Sequence, residues 1–377
     1  MAKYSSRSPK QKRERPKLRK ALQIIAFLTA SLMAIAVGLG TAVYKDVDEN
    51  VQSEEYTQFL NNERQSQIVD PIAGRAVNYL LIGSDDRSGD NSQLGGGNAE
   101  DGQRSDTTII AHVSKDRTRI DLISIPRDSI VDIPSCKLSN GNSTQPMTNA
   151  QFNWAFSKGD NLPSAVACTI STIEENTEMF IDGYAVVDFA GFEDLVNSVG
   201  GIPFDVPEDM VSKKADLDLK KGHQVLNGKD ALAYARARTF EVGAGDGSDL
   251  GRIERQQDLL KALASQILSS ETLSNPKTIY KTTESGLNSL TVSPELGSAS
   301  KLASFAYSLR NISEDNINFY TIPNTVWSQD ANRVIWTDEA DEYWEKMMND
   351  VPIEDKTVDE EISVENETIE ENTENIE

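Results

Sequence analysis

Residues 21–43, ALQIIAFLTASLMAIAVGLGTAV, contain no charged side chain, and this run constrains the chain more than any other feature. At about 1.5 Å per residue, a helix of this length reaches roughly 34 Å, enough to cross a hydrocarbon core of about 30 Å. Lys and Arg crowd residues 1–20, whereas Asp and Glu follow the run. The positive-inside rule therefore predicts a single-pass membrane protein with a cytoplasmic N-terminus and an extracellular domain. A cleaved signal peptide is the alternative, but the run is long for one and no clear A-x-A site follows it.

The rest of the chain divides by composition. Residues 44–75 are polar and predict an extracellular stalk, 76–350 carry the apolar periodicity of a folded domain, and 351–377 are acidic without an aromatic side chain. Such an acidic tail buries too little apolar surface to fold, so we expect it to be disordered. The formal net charge of -23 argues against a nucleic-acid partner, because the phosphate backbone would be repelled.

Strand and helix patterns alternate within the predicted domain. The predicted strands are Asn78–Ser84, Thr107–Val113 and Ile120–Ile125, the last two joined as a hairpin by the short SKDRTR connection. The predicted amphipathic helices are Pro163–Thr177, Phe189–Val199, Gly228–Arg238 and Arg252–Leu268. This mixed order predicts an α/β or α+β sandwich, a central mixed β-sheet flanked by helices.

Arginine and aspartate cluster at the ends of these predicted elements. The clusters are Asp85, Asp86 and Arg87; Arg104 and Asp106; Arg127 and Asp128; and Arg236, Arg238, Asp249, Arg252, Arg255 and Gln256. Arginine offers paired donors and a fixed charge to phosphate, and carboxylates hold the Mg²⁺ that bridges to phosphate oxygens. Each pair alone is more often a solvated ion pair, but together they predict a pyrophosphate site.

Other kinds of site find less support. His112 and His223 are the only histidines and there is no CxxC, which disfavours a zinc site. His112 lies in mid-strand and is better read as a packed core residue. The chain has no GxSxG elbow and no P-loop, which disfavours a serine hydrolase and a nucleotide-driven enzyme. Cys136 and Cys168 fit either a disulfide, if the domain is extracellular, or two buried free thiols.

Several stretches resemble the LytR-CpsA-Psr family of cell-wall glycopolymer transferases. They are NYLLIGSDDR, RSDTTIIAHV, RIDLISIPRDS, IDGYAVVDFAGFEDLVNSVGGIPFDVPEDM and LNGKDALAYARAR…DLGRIERQQDLLKAL, from about Val77 to Leu268. The resemblance implies a mixed sheet with helices on its faces and an apolar groove for a polyprenyl tail. It also implies a disulfide between Cys136 and Cys168, as in actinobacterial-type members.

The resemblance implies a transferase that moves a glycopolymer from undecaprenyl pyrophosphate to a peptidoglycan hydroxyl through a phosphodiester. Asp85 and Asp106 match the carboxylates that bind Mg²⁺, with Mn²⁺ as a substitute. Catalytic roles fall to Asp85, Arg87, Asp106 and Arg127. The residues that match the pyrophosphate clamp are Arg87, Arg104, Arg127, Arg236, Arg238, Arg252 and Gln256. Asp249 and Arg255 are further candidates.

Two other functions are alternatives to the transferase. The first uses the same residues, and the second does not depend on them. A hydrolase would release glycan phosphate by admitting water in place of the sugar hydroxyl. A non-enzymatic cell-wall anchor or regulator would tolerate alanine at Asp85 or Arg127. For the transferase, the expected partners are a polyprenyl-pyrophosphate-linked glycopolymer, peptidoglycan and the cytoplasmic membrane.

Overall fold

The computed structural model describes residues 52–61, 74–84, 105–243, 249–268, 290–309 and 312–354. The predicted cytoplasmic tail, the apolar run at 21–43, residues 44–51 and 62–73 of the predicted stalk, and residues 355–377 of the predicted acidic tail lie outside them. None of the helices in the described ranges combines the length and the apolar character needed to span a membrane.

The strands are short and most of them pair in hairpins or in one larger sheet. They are β1 (Val77–Ser84), β2 (Ser105–Val113), β3 (Ile120–Ile125), β4 (Ile130–Ile133), β5 (Met147–Gln151), β6 (Gly183–Val187), β7 (Ile202–Val206), β8 (Met210–Ser212), β9 (Leu217–Leu219), β10 (Gly222–Leu226), β11 (Leu290–Val292), β12 (Ile317–Thr321), β13 (Asn324–Trp327) and β14 (Asp330–Trp336). The three predicted strands are therefore confirmed, β3 with its bounds unchanged.

The helices include the four that the sequence predicts. They are α1 (Trp154–Ser157), α2 (Leu162–Thr177), α3 (Phe189–Ser198), α4 (Gly228–Arg236), α5 (Asp249–Leu268), α6 (Ala299–Ser308) and α7 (Asp338–Met348). One boundary needs correction: α4 ends at Arg236, because Ala237 adopts an extended conformation with ψ 126°. Arg238 therefore follows the helix and does not lie on one of its faces.

Six strands form the central sheet in the order β11-β6-β1-β2-β3-β12. The pairs β1–β2 and β2–β3 are antiparallel, as the predicted hairpin requires, and β6–β11 is also antiparallel. The pairs β1–β6 and β3–β12 are parallel. The predicted α/β fold with a central mixed sheet is thus confirmed.

The main core lies on one face of this sheet. Leu80, Ile110 and Ile123 point from neighbouring strands into a cluster that includes most of the apolar side chains of α2. Eleven of the sixteen residues of α2 are buried, so the helix is enclosed by protein on nearly all sides. Asn161 caps its N-terminus by accepting a hydrogen bond from the Ser164 N–H at 3.0 Å.

The opposite face of the sheet carries two further apolar clusters. Val77, Tyr79 and Val292 pack against α6 at one end. At the other end, α3, α4 and α5 pack on one another and on the small strands β7 to β10, around Val196, Tyr234 and Leu259. Between this helical layer and the sheet a space remains, which forms the pocket described below.

Part of the predicted stalk packs against the domain. Tyr56 and Leu60 are each only 1% exposed, and the Tyr56 ring lies edge-on to Tyr184 with 5.1 Å between centroids. Ser53 forms a parallel bridge with Val292. Residues 52–61 therefore belong to the folded body and not to the predicted stalk. Tyr56 and Leu60 are two apolar residues four positions apart in a polar stretch, a pattern too weak to predict their burial.

Two features tie the main core together. A disulfide joins Cys136, which follows β4, to Cys168 on α2, with 5.2 Å between the Cα atoms. His112, predicted as a packed core residue, is fully buried in β2. Its Nδ1 lies 2.7 Å from Asn78 Oδ1, and its Nε2 lies 3.0 Å from Asp350 Oδ1, beyond the end of α7.

Candidate functional site

Strand directions bring several loops to one end of the central sheet. Ser84, the last residue of β1, pairs with Ser105, the first residue of β2. Because β3, β6 and β12 run parallel to β1, they also end here, at Ile125, Val187 and Thr321. We call this edge the site end. Three of the predicted clusters lie at these strand ends, whereas the fourth lies at the end of α4 and the start of α5. The topology therefore favours convergence of the three strand-end clusters.

The structure describes only part of the predicted site. Asp85, Arg87 and Arg104 lie outside the described residues, and so do the side chains of Asp106, Asp249 and Arg252. Asp106 is the second residue of β2 and Asp249 begins α5. The side chains of the other candidates are described; these are Arg127, Arg236, Arg238, Arg255 and Gln256.

Gln256 connects α5 to the sheet. Its Oε1 accepts a hydrogen bond from Thr107 Oγ1 at 3.3 Å, and its Nε2 donates to the Ala235 carbonyl at 3.3 Å. The neighbouring Gln257 donates to Thr321 Oγ1 at 2.9 Å. These amides fix the N-terminal half of α5 over the site end, which places Gln256 beside the start of β2.

Arg236 and Arg255 both stack on aromatic rings. The guanidinium carbon of Arg236 lies 4.5 Å from the centre of the Phe189 ring, at the start of α3. Arg255 lies 5.0 Å from the Phe240 ring and donates to the Ala237 carbonyl at 2.6 Å, so it supports the turn after α4. Arg238 is exposed. Arg236 is thus held near the site end, whereas the contacts of Arg255 are with its own supporting loop.

One carboxyl near Arg236 has a perturbed acidity. Desolvation raises the pKa of Glu193 on α3 above its ordinary range, and the charge of Asp194 raises it further. Lys229 and Arg236 act in the opposite direction by stabilising the charged form.

The segment from Arg127 to Ser129 follows β3 and is held by hydrogen bonds to the backbone of the β5–α1 connection. The Asn153 N–H donates to the Arg127 carbonyl at 3.1 Å, and the Phe152 N–H donates to the Ser129 carbonyl at 2.8 Å. The indole of Trp336 donates to Ser129 Oγ at 3.2 Å. Arg127 Nε donates to the Asp128 carboxylate at 3.3 Å. Arg127 therefore projects from a fixed backbone at the site end.

An apolar pocket of about 380 Å³ lies between the sheet and the layer of α3, α4 and α5. Its wall on the sheet side is formed by residues of β1, β2, β3, β6, β11 and β12, among them Leu81, Ile109, Leu122, Leu290 and Phe319. Its wall on the helix side includes Phe189, Phe192, Leu259, Leu263 and Ala264. Polar side chains line it chiefly at the site end; these are Ser84, Thr107, Asp188 and Gln256. The pocket fits an apolar chain whose polar end emerges at the site end.

Two residues of this end escaped the sequence analysis. Gln151, the last residue of β5, and Arg333 in β14 both contact the Asp128 carboxylate. Neither lies in a local pattern of charge or apolar spacing, and Arg333 is 205 positions from Asp128. Only the tertiary structure brings them to Arg127.

Comparison with known proteins identifies the family. The LytR_cpsA_psr family model matches residues 43–349. The "Polyisoprenyl-teichoic acid--peptidoglycan teichoic acid transferase TagV" of Bacillus subtilis is 32% identical over 265 residues, 68% of this chain and 60% of that protein. TagU of Enterococcus faecalis, a transferase with the same descriptive name, is 31% identical over 257 residues, 68% of this chain and 74% of that protein.

Solved structures agree on the fold. The LytR-Csp2A-Psr enzyme from Actinomyces oris superposes with a TM-score of 0.55 at 20% identity, covering 74% of this chain and 91% of that one. The crystal structure of B. subtilis TagV gives a TM-score of 0.53 at 24% identity, covering 74% of this chain and 99% of that one. The chain therefore belongs to the LytR-CpsA-Psr family.

Proposed function

We propose that this protein transfers a glycopolymer from an undecaprenyl-pyrophosphate carrier to peptidoglycan and joins the two by a phosphodiester. The observation that carries the proposal is an apolar pocket that Gln256 lines at the site end. Arg127 follows β3 at this end, and Arg236 stacks on Phe189 of the pocket wall. An amphiphilic donor, with a long hydrocarbon tail and a charged pyrophosphate, has this same division. The names of TagV and TagU, each a polyisoprenyl-teichoic acid–peptidoglycan transferase, support the same reaction class.

The tail of the donor would lie in the pocket. Each buried CH₂ contributes about 0.8 kcal/mol to binding, so a few isoprene units are enough to hold the carrier. The pyrophosphate would then lie at the site end, where guanidinium groups offer paired charge-assisted donors to phosphate oxygens. Arg127 and Arg236 supply described donors, and Arg87, Arg104, Arg238 and Arg252 remain further candidates.

We further propose that Asp85 and Asp106 hold Mg²⁺, or Mn²⁺ in its place. Asp85 follows Ser84 in the chain and Asp106 follows Ser105, and those two serines are paired across β1 and β2. Two carboxylates suit Mg²⁺, which usually completes its coordination with water and substrate phosphate. Within the described ranges there is no group of three or more His, Cys, Asp or Glu that could hold a metal. When bound, the ion would neutralise charge on the pyrophosphate.

The reaction follows from this arrangement. A sugar hydroxyl of peptidoglycan attacks the phosphorus that carries the glycopolymer, and its oxygen forms the new P–O bond. The bond from that phosphorus to the bridging oxygen breaks, and the lipid phosphate leaves with the electron pair. The hydroxyl proton passes to solvent or to the departing phosphate. The arginines stabilise the charge that develops on the leaving group.

We also propose that residues 21–43 anchor the protein, with the domain on the outer side of the membrane. The lipid carrier and the peptidoglycan acceptor are then both within reach of the site end. The disulfide in the structure fits a domain that matures in an oxidising compartment.

A transfer assay with the purified full-length protein in detergent tests the proposal. The mixture contains a glycosyl polyprenyl pyrophosphate, Mg²⁺ and peptidoglycan fragments, with Asp85→Ala and Arg127→Ala in parallel. Asp132→Asn, at an exposed position of β4, is the control. We expect covalent attachment by the wild type and the control, and its loss in both site variants. Free glycan phosphate without attachment would favour the hydrolase. Donor binding without either product would favour the anchor.

A further inference from the structure

The carboxylate of Asp128 joins three elements at the site end. Its Oδ1 accepts hydrogen bonds from Gln151 Nε2 at 2.6 Å and from Arg333 Nη1 at 3.4 Å. Its Oδ2 accepts from Arg127 Nε at 3.3 Å. Both oxygens are thus occupied, one by β5 and β14 and the other by the arginine assigned to the pyrophosphate.

The backbone at Asp128 is also held by the hairpin that carries Arg333. The Val334 N–H donates to the Asp128 carbonyl at 3.2 Å, and Val334 forms a parallel bridge with Ser129. Arg333 is therefore next to the point at which β14 joins the Arg127 segment. The Arg333 guanidinium and the main-chain N–H of Val334 therefore both donate hydrogen bonds to Asp128.

Partial burial makes this cluster stronger than an ordinary surface pair. The side chains of Arg127, Asp128 and Arg333 are 21%, 18% and 28% exposed. Exposed ion pairs contribute little because water screens them and both side chains lose freedom. Here two arginines share one carboxylate on a backbone that is already fixed, so less conformational freedom remains to be lost on binding a ligand.

The contact through Nε has a directional consequence. A guanidinium is planar and presents its donors in a rigid fork, so an acceptor at Nε fixes the rotation of the plane and the direction of both Nη groups. Phosphate recognition by arginine depends on that direction. The residue that sets it acts on affinity without touching the phosphate.

We propose that Asp128 is a positioning residue that, held in turn by Gln151 and Arg333, orients Arg127 for the donor pyrophosphate. The inference rests on the proposed function, because it assumes that Arg127 binds the pyrophosphate. It adds three residues to the clamp that the sequence predicted. These are Asp128 between β3 and β4, Gln151 in β5 and Arg333 in β14.

A double-mutant cycle tests this network. In full-length protein, Asp128→Asn keeps the shape of the side chain but removes its charge, and we expect kcat/KM for the polyprenyl-pyrophosphate donor to fall about 10- to 100-fold, as for the loss of one charge-assisted hydrogen bond. In an Arg127→Ala background the same change should cost less than about 2-fold, because the residue it positions is gone. Arg333→Lys, which keeps the charge, should lose less than Arg333→Ala.

Asp132→Asn is the matched control, since Asp132 lies in β4 and accepts only the Asn149 N–H at 3.0 Å among its described side-chain contacts. It should leave donor kinetics unchanged. If Asp128→Asn does not fold, Gln151→Ala replaces it in the cycle, because it removes the shortest contact to the carboxylate.

The outcomes separate the two proposals. An equal loss from Asp128→Asn with and without Arg127 would overturn the positioning role, since the carboxylate would then act elsewhere. A loss in Arg127→Ala alone, with Asp128→Asn behaving as wild type, would overturn it too but leave the clamp intact. Unchanged donor kinetics in Arg127→Ala would instead remove Arg127 from the clamp, and with it the basis of both assignments.

Discussion

The apolar pocket makes a specific prediction for Ala264→Phe. Ala264 lies on α5 and lines the pocket on its helix side. The new phenyl ring adds about six carbons, which would displace about as many carbons of a bound lipid tail. At about 0.8 kcal/mol per buried CH₂ the upper limit of the loss is about 5 kcal/mol. Because the tail can shift within a pocket of about 380 Å³, we expect about half of that limit, roughly 2–3 kcal/mol.

Such a loss corresponds to a rise in donor KM of about 30- to 150-fold. The assay compares a long-chain polyprenyl donor with a short-chain analogue that carries the same pyrophosphate. We expect the long-chain donor to lose affinity and the short-chain donor to bind Ala264→Phe and wild type alike. Ser265→Phe is the control, because Ser265 lies beside Ala264 on the same helix but does not line the pocket.

An Ala264→Phe variant that unfolds at higher temperature and retains its long-chain KM would refute lipid binding in this pocket. In that case the ring has filled a packing gap in the protein, and the lipid binds somewhere else. An equal loss for both donors would also contradict it, because damage at the site end does not depend on tail length. A fall in the melting temperature shared with Ser265→Phe would indicate overpacking, which costs about 1–3 kcal/mol.

Three further predictions concern stability. A free-thiol assay on denatured, unreduced protein should detect no cysteine, and two reactive thiols would contradict the disulfide. Replacing Cys136 and Cys168 by alanine should lower the free energy of unfolding by about 3–4 kcal/mol, the value expected for a disulfide that closes a loop of about 33 residues. Tyr56→Ala should cost about 3–5 kcal/mol in denaturant unfolding, because it opens a cavity in the core, whereas exposed Thr57→Ala should cost almost nothing. Burial lowers the pKa of His112 below its ordinary value, so the unfolded chain binds the proton first and stability should fall as the pH drops below about 6.5; that slope should be absent in His112→Gln, and an unchanged slope would assign it to other groups.

Local patterns predicted the centre of the fold well. Alternating apolar residues and a short polar turn specified the β2–β3 hairpin, and helical spacing specified α2 and α5. Partners from distant parts of the chain were not predictable in this way. Arg333 reaches Asp128 where the neighbouring residue of β14 bridges to Ser129, and Tyr56 is buried in the main core, edge-on to Tyr184.

The candidate site was also predictable only where it depends on local sequence. Arginines and carboxylates at strand ends indicated the site end, because strand ends are local features of the sequence. The end of α4 was misplaced by two residues, since Ala237 is a good helix former that turns to an extended conformation in the structure. The family resemblance implied an apolar groove, but its lining residues could not be identified, because they are indistinguishable by type from those of a filled core.

The strand order has a consequence for how the molecule assembles. β1, β2 and β3 are neighbours along the chain, whereas β12 joins β3 through contacts such as Asn318 to Asp121, which are 197 residues apart. Contacts of such long sequence separation are slow to form, so the edge strands β11 and β12 should dock last. Because Leu290 and Phe319 from these strands line the pocket, the pocket would be completed only at the final step of folding. Bound donor should then slow hydrogen exchange most at the amides of β11 and β12, because the carrier lipid stabilises the strands that join the sheet last.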